Sequence, residues 1–319
     1  MASMPGRVNL AGLDLNLLVA LNALIEEQNV TRAGERVGLT QPAMSAALAR
    51  LRRHFGDELM VRHGNRYELT PLGVALRHRT EMAVAAVERV FGAQPDFDPL
   101  TAEREFTVLL SDYALMVLGP IVANLLEERA PGVRLRLEPH GPSVIDDAET
   151  TLRGNDLLLL PHGFISDYPS QDLYTDGWVC VLSADHPTIG DSISAEELRS
   201  LPWVTQYHRP TAATTADRQL ALLGFEHRVD LVIESFLPLP FLLSGTRRVA
   251  LLQRRLAERL AAAAGVRILP CPIEVTDLVE AAWWHPLHAA DPAHQWLRRL
   301  FADAAAQLDI QPVDREHVN

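Results

Sequence analysis

A glycine between two short helical stretches constrains this chain more than any other local feature. Thr31 to Val37 reads as a helix, Gly38 breaks it, and Thr40 opens a second helix as N-cap, with Gln41 and Pro42 in its first turn. An earlier helix follows Asp14, where Leu17, Leu18, Leu21, Leu24 and Ile25 keep the spacing of one helical face. In the helix after Thr40, Met44, Ala47, Leu48, Leu51 and Phe55 fall within one arc of about 100°. Pro42, Ser45, Ala46, Ala49, Arg50 and Arg53 occupy the other side. One face packs and the other stays open.

The open face is small near its start and basic near its end, which suits a helix set into the major groove of DNA. The unpaired N–H groups from Thr40 to Met44 can hold a phosphate, and Arg32 on the preceding helix another. Beyond Phe55, extended Leu59 to Arg62, a turn through His63, Gly64, Asn65 and Arg66, and extended Tyr67 to Thr70 read as a small hairpin, or wing. Arg62 and Arg66 near its tip would reach the backbone or the minor groove. A net charge of -12 argues against nucleic acid only on average. Through residue 95 the chain has 11 arginines against 9 acids, and residues 40–79 hold 7 against 3. The later residues carry 18 against 32. A solvated helix face would give the same basic cluster, so the flanking sequence decides.

Thr70 and Pro71 open another helix with no breaker before Gly92. Leu72, Leu76, Ala83, Val87 and Val90 form a narrow stripe, expected as a seam against a second copy; an amphipathic helix lying on its own domain is the other reading. Residues 92–105 are polar and aperiodic with two prolines, as a linker is.

Beyond the linker, strands and helices alternate. Phe106 to Leu110, Val133 to Pro139 and Asp156 to Leu160 read as strands around helices Tyr113 to Arg129 and Val144 to Arg153. A second set opens at Trp178, and Leu278 to Trp284 with the helix Pro292 to Leu308 returns to the first. The expectation is α/β with mainly parallel sheets, in two lobes joined by two crossovers. Ligands of such sheets bind beyond the carboxyl ends of strands. That places Ser111 and Asp112 at a helix start, with His162, Phe164, Gln206, His208, Phe236 and Trp284, as candidate cleft residues. Capping for the first two, core packing for the aromatics and structural hydrogen bonding for the histidines are their ordinary alternatives.

No apolar run is long enough for a bilayer span and the first 16 residues lack a secretory core, so a cytoplasmic protein is expected. Cys180 and Cys271 are too few for a disulfide framework and read as packing groups, with a redox pair conceivable if the crossovers bring them together. His285, His288 and His294 invite a metal reading, but Pro286 and Pro292 interrupt the helix that would align them, and no HExxH, GxSxG or P-loop pattern occurs. No catalytic residue, metal or cofactor is therefore expected. An enzyme or small-molecule-binding protein with a vestigial DNA-binding domain is the alternative function, and an architectural DNA-binding protein a third.

The run TRAGERVGLTQPAMSAALARLRRHFGDELMVR, followed by LTPLG, resembles the LysR-type transcriptional regulators over residues 10–75, in the branch of NodD-like and NahR-like regulators of aromatic-compound response. Ala46 and Ala47 stand where many members have arginine or another polar residue, so one base contact is not carried over. The resemblance implies DNA contacts at Arg32, Thr40, Gln41, Pro42, Ser45, Arg50, Arg53, Arg62 and Arg66. It implies a winged helix-turn-helix at 1–70, a linker and dimerisation helix at 71–92, a hinge at 93–104, and a periplasmic-binding-protein-like effector domain at 105–319. Lobe I would hold 105–176 and 274–319, and lobe II 177–273. The implied partners are double-stranded promoter DNA, a small-molecule effector of aromatic or carboxylate type, a second copy leading to a dimer of dimers, and RNA polymerase.

Overall fold

Each of the first three helices starts on a side chain that accepts a backbone hydrogen bond. Asp14 caps α1 (Leu15–Glu27), Asn29 caps α2 (Val30–Arg36) and Thr40 caps α3 (Gln41–Phe55). This is a computed structural model; it describes residues 14–63, 66–91, 96–141, 143–206 and 213–308, in two units that divide between residues 94 and 95. Gly38 supplies the left-handed turn between α2 and α3, at φ 69°. Leu21, Leu24, Ile25, Ala33, Met44, Leu48 and Leu51 close a small core. The hairpin β1 (Met60–His63) and β2 (Arg66–Leu69) follows, then α4 (Pro71–Phe91).

The junction of hairpin and α4 is tightly bonded. Asp57 Oδ1 accepts from Leu59 N at 2.6 Å and from Thr70 Oγ1 at 2.7 Å, and Thr70 Oγ1 accepts from Gly73 N at 3.1 Å. The backbones approach so closely that a Cβ on Gly73 would lie 2.3 Å from the Leu59 carbonyl oxygen. Leu72 and Leu76 pack against the three-helix core. The expected apolar seam is thus split: its first two members belong to the domain's own core, while Ala83 and Val87 are half-exposed and Val90 is 70% exposed.

The second unit begins with β3 (Glu105–Leu110), α5 (Asp112–Arg129), β4 (Arg134–Pro139), α6 (Ser143–Asp146), α7 (Ala148–Gly154), β5 (Leu157–Pro161) and β6 (Ser170–Asp176). The chain then builds β7 (Trp178–Ser183), α8 (Ala195–Ser200), β8 (Pro202–Gln206), α9 (Thr215–Leu222), β9 (Arg228–Ile233), α10 (Leu239–Leu243), β10 (Val249–Gln253), α11 (Arg254–Ala264) and β11 (Val266–Pro270). It ends in β12 (Leu278–Trp283), a 3-10 turn (Pro286–His288) and α12 (Pro292–Leu308).

Two five-stranded sheets result, ordered β4-β3-β5-β12-β6 and β11-β7-β10-β8-β9. Both are mixed, where mainly parallel pairing was expected. One strand in each sheet is reversed: β12 runs antiparallel to β5 and β6, and β7 antiparallel to β10 and β11. Each is the strand that follows a crossover between lobes, so the chain enters both sheets against the direction of the local β-α-β winding. Leu157 and Leu159 face a core with α5 and α12, whereas Leu158 and Leu160 join Leu152 and Trp283 on the other face. A strand covered on both faces reads as an unbroken apolar run, as β5 does. The helix expected from Val144 to Arg153 is interrupted at Asp147, which caps α7 by accepting from Thr150 N. Among the described residues no helix is long and apolar enough to cross a membrane.

Candidate functional site

In the first unit α3 buries Met44, Ala47, Leu48 and Leu51 and exposes Gln41, Pro42, Ser45, Ala46, Ala49, Arg50 and Arg53. Thr40 is exposed too, its Oγ1 accepting from Ala43 N. The open face therefore combines a helix start, small side chains and two arginines. Arg50 Nη1 lies 3.1 Å from Asp14 Oδ2, an exposed pair. The Asn16 backbone N–H, and then Arg50, hold the Asp14 carboxyl below the usual carboxylate range. Exposed pairs of this kind contribute little, so a phosphate can take Arg50 from Asp14. Arg32 donates to the Glu27 carbonyl at 2.8 Å and pairs with the Glu27 carboxylate.

Arg52 behaves differently. It donates to the backbone carbonyls of Glu58 at 2.9 Å and Met60 at 2.8 Å, fastening α3 to the start of β1. Arg62 is exposed on β1. Arg66 pairs through its backbone with His63, and its side chain lies outside the described residues, as do Gly64 and Asn65 of the turn.

In the second unit a partly open cleft is lined from both lobes. Ser111, Phe164 and Phe236 stand in its wall, together with Tyr113, His140, Trp178, Thr214, Gln253 and Glu280, which sequence reasoning did not single out. Ser111 Oγ accepts from Ala114 N as the cap of α5. Arg218 of α9 lies 4.2 Å over the Phe164 ring and donates to the Gly163 carbonyl, joining the lobes beside the cleft. Burial pushes His140 down to about 4 and keeps it neutral. Glu280 is pushed up to about 8, by burial and then by the charge of Asp176. Asp176 sits where β6 crosses to β7; it accepts from Tyr113 Oη at 2.8 Å and from Arg255 N.

Four other expected cleft residues stand elsewhere. Asp112 spends its Oδ2 on Ser235 Oγ and on the N–H groups of Phe236 and Leu237, so it ties the lobes instead of lining the cavity. His162 is on the surface, its Nε2 2.6 Å from Asp172 Oδ1 and its ring edge-on to Trp283. Gln206 is buried at the end of β8 outside the lining, and His208 lies outside the described residues. Trp284 is core: Arg298 lies 4.3 Å over its ring and His294 of α12 is close by. The one sequence signal for the missed residues was Glu280 itself, a carboxylate inside the apolar strand LVEAAW.

The thiols of Cys180 and Cys271 interact; this neighbour and then burial raise Cys180, and Cys271 is lowered to about 7, chiefly by Cys180. His294 Nε2 is 2.6 Å from the Asp156 carbonyl and its ring stacks on His288 at 5.1 Å. Among the described residues no group of three or more histidine, cysteine or carboxylate side chains is placed to hold a metal ion.

Residues 15–74 match the bacterial regulatory helix-turn-helix protein, lysR family, and residues 102–306 the LysR substrate binding domain. The chain is 36% identical over 304 residues to nodulation protein D 1 of Rhizobium meliloti (strain 1021), covering 94% of this chain and 97% of that protein. It is 34% identical over 300 residues to nodulation protein D 2 of Rhizobium tropici, covering 93% and 94%. The crystal structure of a probable transcriptional regulator from Pseudomonas aeruginosa is similar at a TM-score of 0.71 and 28% identity, covering 92% of this chain and 98% of that one. Full-length CbnR complexed with its target DNA shares the fold at a TM-score of 0.62 and 15% identity, covering 93% and 100%.

Proposed function

Because the chain belongs to the LysR family, and so is a transcriptional regulator with a DNA-binding helix-turn-helix and an effector-binding domain and not an enzyme, we propose that two copies place α3 on an inverted-repeat promoter site in the cytoplasm and that a small molecule in the interlobe cleft changes this engagement. The open face of α3 is the observation that carries the reading: bulk at Ser45, Ala46 or Ala49 would hold the backbone away from base edges, and none is there. Arg50 and Arg53 supply phosphate contacts farther along, with Arg32, Thr40, Arg62 and Arg66 as outer positions.

Association into dimers, and dimers of dimers, is supported by apolar surface that a lone chain leaves in water. Val90 is exposed on the distal half of α4, and Leu222 is 87% exposed beside α9 neighbour Leu223, with Val232 exposed on the edge strand β9. RNA polymerase is the partner through which such an assembly would act. The coupling is linkage: an effector shifts DNA affinity only as far as its own affinity differs between the two arrangements, about 1 to 3 kcal/mol in typical cases. Footprinting on the promoter fragment over a range of salt tests the reading. Protection of two half-sites one helical turn apart, with affinity falling steeply in salt, is expected; an unprotected promoter overturns it.

A further inference from the structure

Among the described residues, five side chains that line the cleft carry a buried polar atom without a hydrogen-bond partner: His140 Nε2, Trp178 Nε1, Thr215 Oγ1, Gln253 Oε1 and both carboxyl oxygens of Glu280. Glu280 is 1% exposed, and both its carboxyl oxygens lack a hydrogen-bond partner among the described residues. Trp178 Nε1 and Gln253 Oε1, from register-paired residues of β7 and β10 in the other lobe, are also buried and unpartnered among the described residues. All three line the same cavity. Orphaned buried polar groups are rare, and five in the lining of one cavity, Glu280, Trp178 and Gln253 among them, point to a ligand that completes them.

We propose that Glu280 is the specificity-determining residue of this cavity, and that as a neutral acid it donates its O–H to an uncharged oxygen of the effector, a ketone or hydroxyl, while refusing a carboxylate at that end. The assignment rests on the reading of the cleft as the effector site. It narrows the aromatic or carboxylate class to its uncharged members. Trp178 Nε1 donates to the same oxygen or a neighbouring one, and Gln253 Oε1 accepts from a hydroxyl. The surroundings favour the uncharged form of Glu280, through burial and then the charge of Asp176. Asp176 and Tyr174 on β6 and Tyr113 on α5 face Glu280, His140 after β4 is neutral, and the guanidinium of Arg255 at the start of α11 acts on Asp176 and Tyr174 and donates to the Leu308 carbonyl at 3.4 Å. Among the described residues the lining holds no lysine or arginine to balance an anion. The positive start of α5 already carries the Asp112 carboxylate.

Acetophenone and benzoate, equal in shape and different in charge, test this by calorimetry on the full chain, wild type and Glu280→Gln. Acetophenone does not titrate, so any pH dependence belongs to the protein. Wild type is expected to bind acetophenone at least about tenfold more tightly than benzoate near pH 7, and to lose about tenfold of its acetophenone affinity on going from about pH 7 to 9. Glu280→Gln, neutral at every pH, should keep the preference and lose the pH dependence. Binding of benzoate as tight as acetophenone, or acetophenone affinity flat from pH 7 to 9 in wild type, overturns the Glu280 assignment and leaves the cleft reading standing. No binding of either probe to either protein overturns the cleft reading, and this assignment with it.

Discussion

Asp112 of the first lobe and Ser235 of the second are joined by a hydrogen bond of 2.6 Å, and the same carboxylate oxygen also accepts from the backbone N–H groups of Phe236 and Leu237. One side chain thus satisfies three donors across the cleft. Asp112→Ala orphans two backbone N–H groups and is expected to cost about 1 to 3 kcal/mol of stability in urea denaturation. Asp112→Asn, which keeps one acceptor, should cost less. Equal stability of wild type and Asp112→Ala would show that the lobes are held by other contacts.

The arginines of α3 divide by what they touch. Arg53→Ala and Arg50→Ala should leave the melting temperature nearly unchanged and lower the salt slope of operator binding by about 1 each. Arg52→Ala removes the donors to the Glu58 and Met60 carbonyls and should lose about 1 to 2 kcal/mol of stability. A melting curve beside a salt titration separates the two kinds.

Gly73→Ala drives a methyl into the Leu59 carbonyl oxygen, a backbone atom with nowhere to move. A loss on the order of 2 kcal/mol is expected, visible as an earlier transition of the DNA-binding unit. Ala at exposed Val74, the next residue, should be nearly neutral.

Three buried groups predict how stability follows pH, with opposite signs. His140 and His294 are both lowered to about 4 by burial, so the unfolded chain takes up protons that the folded chain refuses. Their contribution is intact above about pH 6.5 and falls as pH drops toward 4. Glu280 is raised, so the folded chain keeps a proton the unfolded chain releases; stability declines as pH climbs from about 4.5 through 8. In the absence of effector, Glu280→Gln should therefore gain on the order of 4 kcal/mol near pH 8 and little near pH 4. Melting temperatures across that range check both arms.

Ser111→Ala loses the cap of α5 and should cost about 1 kcal/mol. Ser111→Asp restores a capping oxygen. If Ser111 also touches effector, the aspartate variant will be stable and still altered in response; full recovery of both would assign Ser111 to capping alone.

The DNA-binding unit was legible because its signals are local: caps at Asp14 and Thr40, a glycine turn, and one buried stripe on α3. The α/β order was legible from apolar runs such as β5. Two elements escaped. The strand β6 is polar at an edge and buries only Tyr174 and Asp176 deeply, and α11 consists largely of arginine and alanine, so its inward stripe of Leu256, Ala257, Leu260, Ala261 and Ala264 is built mostly from alanine, a weak apolar signal. The cleft is less legible in the sequence. Ser111, Phe164 and Phe236 follow strand ends and obey the general rule for ligands of open sheets. Glu280 and Trp178 come from mid-strand and strand-start positions beside the crossovers, and Gln253 from the end of β10; only the three-dimensional closing of two lobes brings them together. Asp112 and Trp284 were drawn to other duties by neighbours more than a hundred residues away or by a helix at the far end of the chain.

The bonding of Asp57, Thr70 and Gly73 around Leu59 leaves no slack where the hairpin meets α4, and Arg52 bolts α3 to the same hairpin. The long helix is therefore a crank handle welded to its key. Twist applied toward the Val90 end would reach α3 through the bonds at Leu59, Met60 and Thr70.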